Sequence, residues 1–334
     1  MPDGLIVIDK PQRVTSHDVV AAVRSVLHVK RVGHAGTLDP MATGVLVIGF
    51  GYATRLLNYI VDHHKTYEAT IRLGLRTTTE DAEGAIIEWP AEEREHVRAQ
   101  IAALSREVIE QAINTHLMGE ISQVPSSYSA VKINGKHAYD LAREGKEVAL
   151  EPRQVTIDSF DVLAVHEPDA AQGTRDIDVR VTCSAGTYIR ALGRDLGHIL
   201  GVGGYLTRLR RTHVGAFSLE GPHVLPARSE EHSFTTRDGR HESRMRARLD
   251  TTQEQLLGAS LTMGQAARMT MPVVDIDDRQ AQDLRYGRSI DVAVSTATAA
   301  IAHPADGDDD LVAIIIADSG TPTRSHPTVV FPAA

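Results

Sequence analysis

The stretch Gly33-His34-Ala35-Gly36-Thr37-Leu38-Asp39-Pro40-Met41-Ala42-Thr43-Gly44 is the densest concentration of groups able to do chemistry. Its glycines allow positive φ or a close approach of backbone to ligand. Pro40 keeps the preceding Asp39 out of helical geometry, so the carboxylate sits on a constrained loop. An ionised carboxylate there can attack or stabilise an electron-poor centre, and loops held by a rigid scaffold are where catalytic groups gather. By spacing alone, an aspartate before a proline in such a loop is more often an ordinary turn residue than a nucleophile. His34 reads either as a group that enters a ligand or as one that fixes the loop backbone. A second concentration lies between Gly186 and Gly215, where Arg190, Arg194, Arg208, Arg210 and Arg211 face Asp195 alone. That local excess of positive charge suits a polyanion or a solvated face.

These groups sit in a chain of 334 residues, a length that predicts about two domains. Hydrophobic residues at 42% and charged residues at 24% are those of an ordinary globular protein. The formal net charge of −9 argues globally against a nucleic-acid partner, but charge steers through its local distribution. No apolar run approaches the ~18 residues of a membrane span. Met1-Pro2-Asp3-Gly4 lacks the basic and apolar regions of a signal peptide. A lone Cys183 excludes an intrachain disulfide or a multi-cysteine metal site, and His63-His64 has no third ligand at metal spacing. A soluble cytoplasmic protein without a metal is expected. Gly49-Phe50-Gly51 is too short for a dinucleotide fingerprint, and there is no P-loop.

The elements that must position the loop can be read from hydrophobic period. Gly4–Ile8 and Val45–Ile48 are short β-branched runs that predict buried strands on either side of the loop. Ser16 is placed to cap a helix carrying Val19, Val23, Val26 and Leu27 at helical spacing. Residues 65–73 alternate, with Tyr67, Ala69, Ile71 and Leu73 on the apolar face. Ile177, Val179, Val181 and Cys183 alternate likewise, and Cys183 reads as a small packed hydrophobe. Helices are predicted over 107–117, 136–144, about 187–200 and 278–286, with strands near 311–316 and 327–331. Residues 226–260 are charged and read as a mobile linker or an insertion.

The ordered set of motifs is more specific than any one of them. Lys10-Pro11 and Thr15-Ser16 precede the glycine loop; Lys65-Thr66-Tyr67-Glu68-Ala69 and the run 124–136 follow it. Cys183-Ser184-Ala185-Gly186-Thr187-Tyr188-Ile189-Arg190 and Arg208-Leu209-Arg210-Arg211 close the series. In order and spacing, residues 4–220 closely resemble the TruB-type bacterial tRNA pseudouridine synthases, which act on uridine-55 of the T loop. Residues 261–334 resemble the small PUA-like domain that many members carry. One departure stands out: the family's Lys-Pro-x-Gly motif has Arg13 in place of its glycine, which touches the local turn rather than the catalytic centre.

The resemblance implies an α/β (α+β) fold: a catalytic domain over 1–225 around a mixed, largely antiparallel sheet, with a thumb-like insertion at about 125–152. A charged linker or insertion over 226–260 and a β-rich PUA-like domain over 261–334 complete it. It implies that Asp39 is the catalytic aspartate, that Arg190 pairs with it, and that Tyr67 stacks on the uracil and accepts the C5 proton. His34 would fill the place of the flipped base, and Tyr188 and the backbone of Leu209 would contact the uracil. Lys10, Lys65, Lys132, Lys136, Arg208, Arg210 and Arg211 are candidates for phosphate contacts. The implied partner is the T-arm stem-loop of tRNA, bound by a monomer without guide RNA, since the chain carries its own thumb. No cofactor is expected. A rival reading from another class is a tRNA-folding aid whose work is opening and re-forming the elbow region, and the two do not exclude each other.

Overall fold

Gly4–Lys10 and Thr43–Phe50 pair antiparallel over their full length, from Gly4 opposite Phe50 to Lys10 opposite Gly44. Both are almost entirely buried, which explains why they read as continuous apolar runs rather than alternating ones. Successive side chains still point to opposite faces. Leu5, Val7, Val45 and Val47 join one core cluster, whereas Ile6, Ile8, Leu46 and Ile48 join another with Val19, Val20, Val23 and Leu27 of the helix Ser16–Leu27. Val32–His34 adds to the Thr43–Phe50 strand, and Val224–Pro226 runs parallel to Gly4–Lys10. This computed structural model describes every residue except 1, 127–131, 134, 135, 138–149, 237, 305, 306, 308 and 334, and only the backbone of 132, 133, 136 and 137.

The chain forms two compact units, Met1–His63 with His213–Ala334, and His64–Thr212. The C-terminal segment does have a four-stranded sheet, in the order Val273–Ile276, Thr298–Ala302, Asp310–Asp318, Thr321–Val330, and a cluster of its own around Leu284, Val312 and Ile315. Its other face, with Ala299, Ile301, Ile314 and Phe331, shares the cluster of Leu5 and Val7. Leu5 and Leu261 exchange backbone hydrogen bonds of 3.0 and 2.8 Å. The β-rich C-terminal domain is thus built onto the first strand of the chain.

Residues 226–260 hold ordered elements. Arg228–Thr235 and His241–Arg248 form an antiparallel hairpin, followed by the helix Gln253–Ala259. The segment is seated through Met245 and Ala247 on the cluster of the first helix.

In the second unit Lys65–Leu73, Arg175–Cys183, Arg153–Val165 and Gly119–Gln123 are successive antiparallel neighbours. Lys65–Leu73 alternates buried and half-buried as expected, and Val181 lies opposite Tyr67. The strand Gly204–Val214 flanks Lys65–Leu73 on its other side. The helix Ile189–Ile199 packs close to it: a Cβ on Gly197 would come within 2.2 Å of the Gly203 backbone, so only glycine fits there. Cys183 is packed in the core, and burial pushes its thiol up to about 11. The sheet is mixed and largely antiparallel. No helix among the described residues is long and apolar enough to cross a membrane.

Candidate active site

Asp39 stands half-buried on the loop between Val32–His34 and Thr43–Phe50. A turn closes behind it, with the Ala42 N–H donating to the Asp39 carbonyl at 3.1 Å. Gly36 and Gly44 take φ of 89° and 104°, the left-handed region that disfavours other residues. Gly33 is extended, and its missing Cβ makes room for the Leu57 side chain instead.

Two side chains brace this loop from a distance in sequence. Ser16 is fully buried; its Oγ accepts from the Leu38 N–H at 2.9 Å and donates to the Leu38 carbonyl at 3.2 Å. The helix cap expected at Ser16 is provided one residue earlier by Thr15, whose hydroxyl accepts from the Asp18 N–H while Asp18 reaches back in a capping box. That shift frees Ser16 to hold the loop. Lys10 is the second brace. Expected to contact phosphate, it is fully enclosed, and its Nζ donates to the carbonyls of Ala42 at 2.7 Å, Pro11 at 2.9 Å and Pro40 at 3.4 Å. An ammonium with no exposed surface cannot reach a phosphate, so Lys10 acts on the shape of the loop.

Arg13 bears on the loop as well. Its φ is 71°, and its N–H donates to the Pro40 carbonyl at 2.8 Å. The family's glycine is explained by that φ, and the turn is tied to the residue after Asp39. The left-handed conformation costs a non-glycine residue ~1–2 kcal/mol, and glycine loses ~0.5–1 kcal/mol more on folding. Arg13→Gly should therefore stabilise the protein by about 0.5–1 kcal/mol and raise the melting temperature by ~1–2 °C. A thermal scan checks this. Turnover should not change, because the bond to Pro40 is made by the backbone.

His34 ends its strand opposite Ile48, with its ring edge-to-face on His17 at 5.8 Å. His34, Asp39 and Lys10 belong to the first unit; Tyr67, Tyr188, Arg190, Leu209, Arg210 and Arg211 belong to the second.

In the second unit Tyr188 is the N-cap of the helix Ile189–Ile199. Gln123 grips its backbone on both sides: the Tyr188 N–H donates to Oε1 at 2.9 Å and Nε2 donates to the Tyr188 carbonyl at 3.1 Å. Arg190, in the first turn, is 4% exposed. Its Nη1 donates to the Thr79 carbonyl at 2.9 Å and to Ser126 Oγ at 3.3 Å, and lies 3.6 Å from an Asp81 carboxylate that is itself buried. Asp81 accepts from Thr79 Oγ1 at 2.5 Å and from the Glu83 N–H at 3.0 Å. One helical turn on, Arg194 bonds Glu80 at 2.7 Å and the Val124 carbonyl at 2.9 Å. Burial pushes the Glu80 carboxyl up, and Arg194 opposes that rise.

Sequence reasoning missed Gln123, Ser126, Thr79 and Asp81. The one available signal was the turn chemistry of Thr79-Glu80-Asp81-Ala82-Glu83-Gly84, where Glu80 takes φ of 64°.

Tyr67 is 8% exposed on its strand. Bonds from Thr207 Oγ1 to the Thr70 carbonyl and from Thr212 Oγ1 to the Thr66 carbonyl set the Gly204–Val214 strand beside it, with Leu209 between them. Alternation puts Leu209 and Arg211 on one buried face, so Arg211, 1% exposed, is not placed as a phosphate contact. Lys65 is also buried. Arg210 is half-buried, and Arg208 is exposed, 3.6 Å from Asp178. The Lys132 and Lys136 side chains and most of 125–152 lie outside the described residues. Of the helix expected over 136–144, Lys136–His137 instead pairs as a strand with Lys132–Ile133, and the rest also lies outside them.

Residues 24–189 match the family model described as TruB family pseudouridylate synthase (N terminal domain). A tRNA pseudouridine synthase B of Bifidobacterium longum subsp. infantis is 48% identical over 387 aligned positions, covering 100% of this chain and 99% of that protein. One from Arthrobacter sp. is 44% identical, covering 99% and 97%. Among solved structures, a chain of a Cbf5-Nop10-Gar1 complex superposes with a TM-score of 0.63 at 24% identity, over 99% of this chain and 84% of that one. A chain of an H/ACA RNP bound to a substrate RNA containing 2'-deoxyuridine does so with the same score at 23% identity, over 98% and 85%. These two show the fold.

Proposed function

The chain belongs to the TruB family of pseudouridylate synthases, and from that premise we propose that it isomerises uridine-55 in the T loop of tRNA to pseudouridine. The observation that carries the reading is the 48% identity over the whole chain to a tRNA pseudouridine synthase B. The enzyme is an isomerase: the bond from ribose C1′ to N1 breaks, the uracil turns, and C1′ joins C5. One proton leaves C5 and one is gained at N1, so atoms balance within the nucleotide. There is no net oxidation or reduction and no net transfer between molecules, so the chemistry calls for no cofactor.

Asp39 is the anionic group in this proposal, and its braced loop supports the role, since a catalytic carboxylate must be held before substrate arrives. Arg190 supplies the charge that favours the ionised carboxylate. Tyr67 holds the uracil by its face and takes the C5 proton. A nucleotide inside a folded loop must leave its stack first, at a few kcal/mol, and His34 fills the gap it leaves. Tyr188 and the Leu209 backbone contact the turned-out base. The partner is the T-arm of tRNA, met by a cytoplasmic monomer without guide RNA. Residues 125–152 serve as a thumb and 261–334 as a PUA-like RNA grip.

Incubating purified protein with unmodified tRNA and no cofactor, then mapping pseudouridine by position, tests the reading. Modification at position 55 alone is expected; its absence there overturns the proposal.

A further inference from the structure

The hairpin Arg228–Thr235/His241–Arg248 has two unlike faces. Met245 and Ala247 turn inward onto the core cluster of the first helix. By alternation the opposite face carries the cross-strand pairs Arg228/Arg248, Glu230/Arg246, His232/Arg244 and Phe234/Glu242. Residues 228–248 hold six arginines against four carboxylates in a chain whose net charge is −9.

The carboxylates on this face are engaged elsewhere. Glu230, directly across from Arg246, lies 2.7 Å from Arg228 and 3.4 Å from Arg248, and Glu242 lies 3.6 Å from Arg240. Among the described residues, no carboxylate comes within ion-pair distance of Arg244 or Arg246. The two stand two residues apart on one strand, so their Cα atoms are about 6.6 Å apart and both side chains leave the same face. The Arg244 guanidinium sits over the Phe234 ring at 5.8 Å, and the His232 ring stacks on Phe234 at 6.3 Å. Two guanidiniums with no carboxylate at ion-pair distance among the described residues, beside a stacked aromatic pair, match a sugar-phosphate backbone with an unpaired base more closely than an acidic protein surface.

We propose that this face is an RNA-binding surface outside the residues assigned to the chemistry, taking tRNA phosphates on Arg244 and Arg246 and an unstacked base at Phe234. The proposal rests on the reading of the chain as a tRNA enzyme for its ligand, but not on catalysis. The test is the Arg244→Gln/Arg246→Gln double variant, with Kd for unmodified tRNA measured across a salt series. Loss of two phosphate contacts should raise Kd about 3- to 30-fold at low salt and flatten the slope of log Kd against log salt by ~1–2. The maximal rate at saturating tRNA should stay unchanged.

A Kd and slope equal to wild type would overturn the proposal and leave the face to a protein partner. An equal loss in Arg240→Gln, which removes an ion-paired arginine beside the turn, would overturn it too, since charge number rather than this face would then govern. The two readings fail separately. Wild-type protein that makes no pseudouridine, but whose tRNA affinity falls in the double variant, refutes the catalytic assignment alone.

Discussion

Asp39→Asn should reduce single-turnover pseudouridine formation by at least ~10⁴-fold, while Kd for tRNA stays within about threefold of wild type. The amide has the carboxylate's shape and lacks its charge, so the variant separates the two. Several of the loop's supports do not use that charge. Ser16 holds Leu38, Lys10 holds Ala42 and Pro11, and the turn to Ala42 is closed by the Asp39 backbone. A variant that folds and binds but does not isomerise is therefore expected, read by position-resolved mapping beside a binding assay. Turnover within tenfold of wild type would remove Asp39 from the mechanism. The same protein separates the rival reading: rescue of growth under tRNA stress by Asp39→Asn would assign the chain a folding role alongside its chemistry.

What the sequence made legible follows from the range of each interaction. The strand Lys65–Leu73 was legible because period-2 alternation is a local signal that one buried face writes directly into the chain. The glycine loop was legible because Gly36, Gly44 and Pro40 restrict the backbone residue by residue. Lys10 reads as a phosphate contact because nothing local distinguishes a surface lysine from one whose ammonium is enclosed by carbonyls about thirty residues away. Ser16 reads as the cap for a related reason: Thr15 and Ser16 are both capping residues, and only the position of Leu38 separates their roles. The helix Ala91–Ala103 escaped because only Val97 and Ile101 are buried along it, too few to form a stripe. The hairpin looked like a linker because it gives just Met245 and Ala247 to the core.

Arg190 is where stability and chemistry are hardest to separate, and the Asp81 pair offers the means. Arg190→Met would strand the Asp81 carboxylate, whose side chain is 6% exposed, and leave Ser126 and the Thr79 carbonyl without that donor. Breaking a buried pair from one side costs ~3–5 kcal/mol, because the remaining charge keeps its desolvation cost without its partner. The single variant should therefore be much less stable, and its low activity would by itself be uninformative. Replacing both members with apolar groups removes the stranded charge, and such replacements are often close to neutral. Arg190→Met/Asp81→Leu should recover to within about 2 kcal/mol of wild type, a strongly non-additive result expected of contacting residues. If Arg190 acts on the reacting carboxylate, turnover should remain at least ~10²-fold down in this restored fold, since the Arg190 guanidinium that favours the ionised form is gone. Denaturant midpoints and single-turnover rates on Arg190→Met, Asp81→Leu, the double variant and the parent decide the matter. Should activity return together with stability, Arg190 would be a structural residue whose only contribution is to hold the start of its helix against the Asp81 turn.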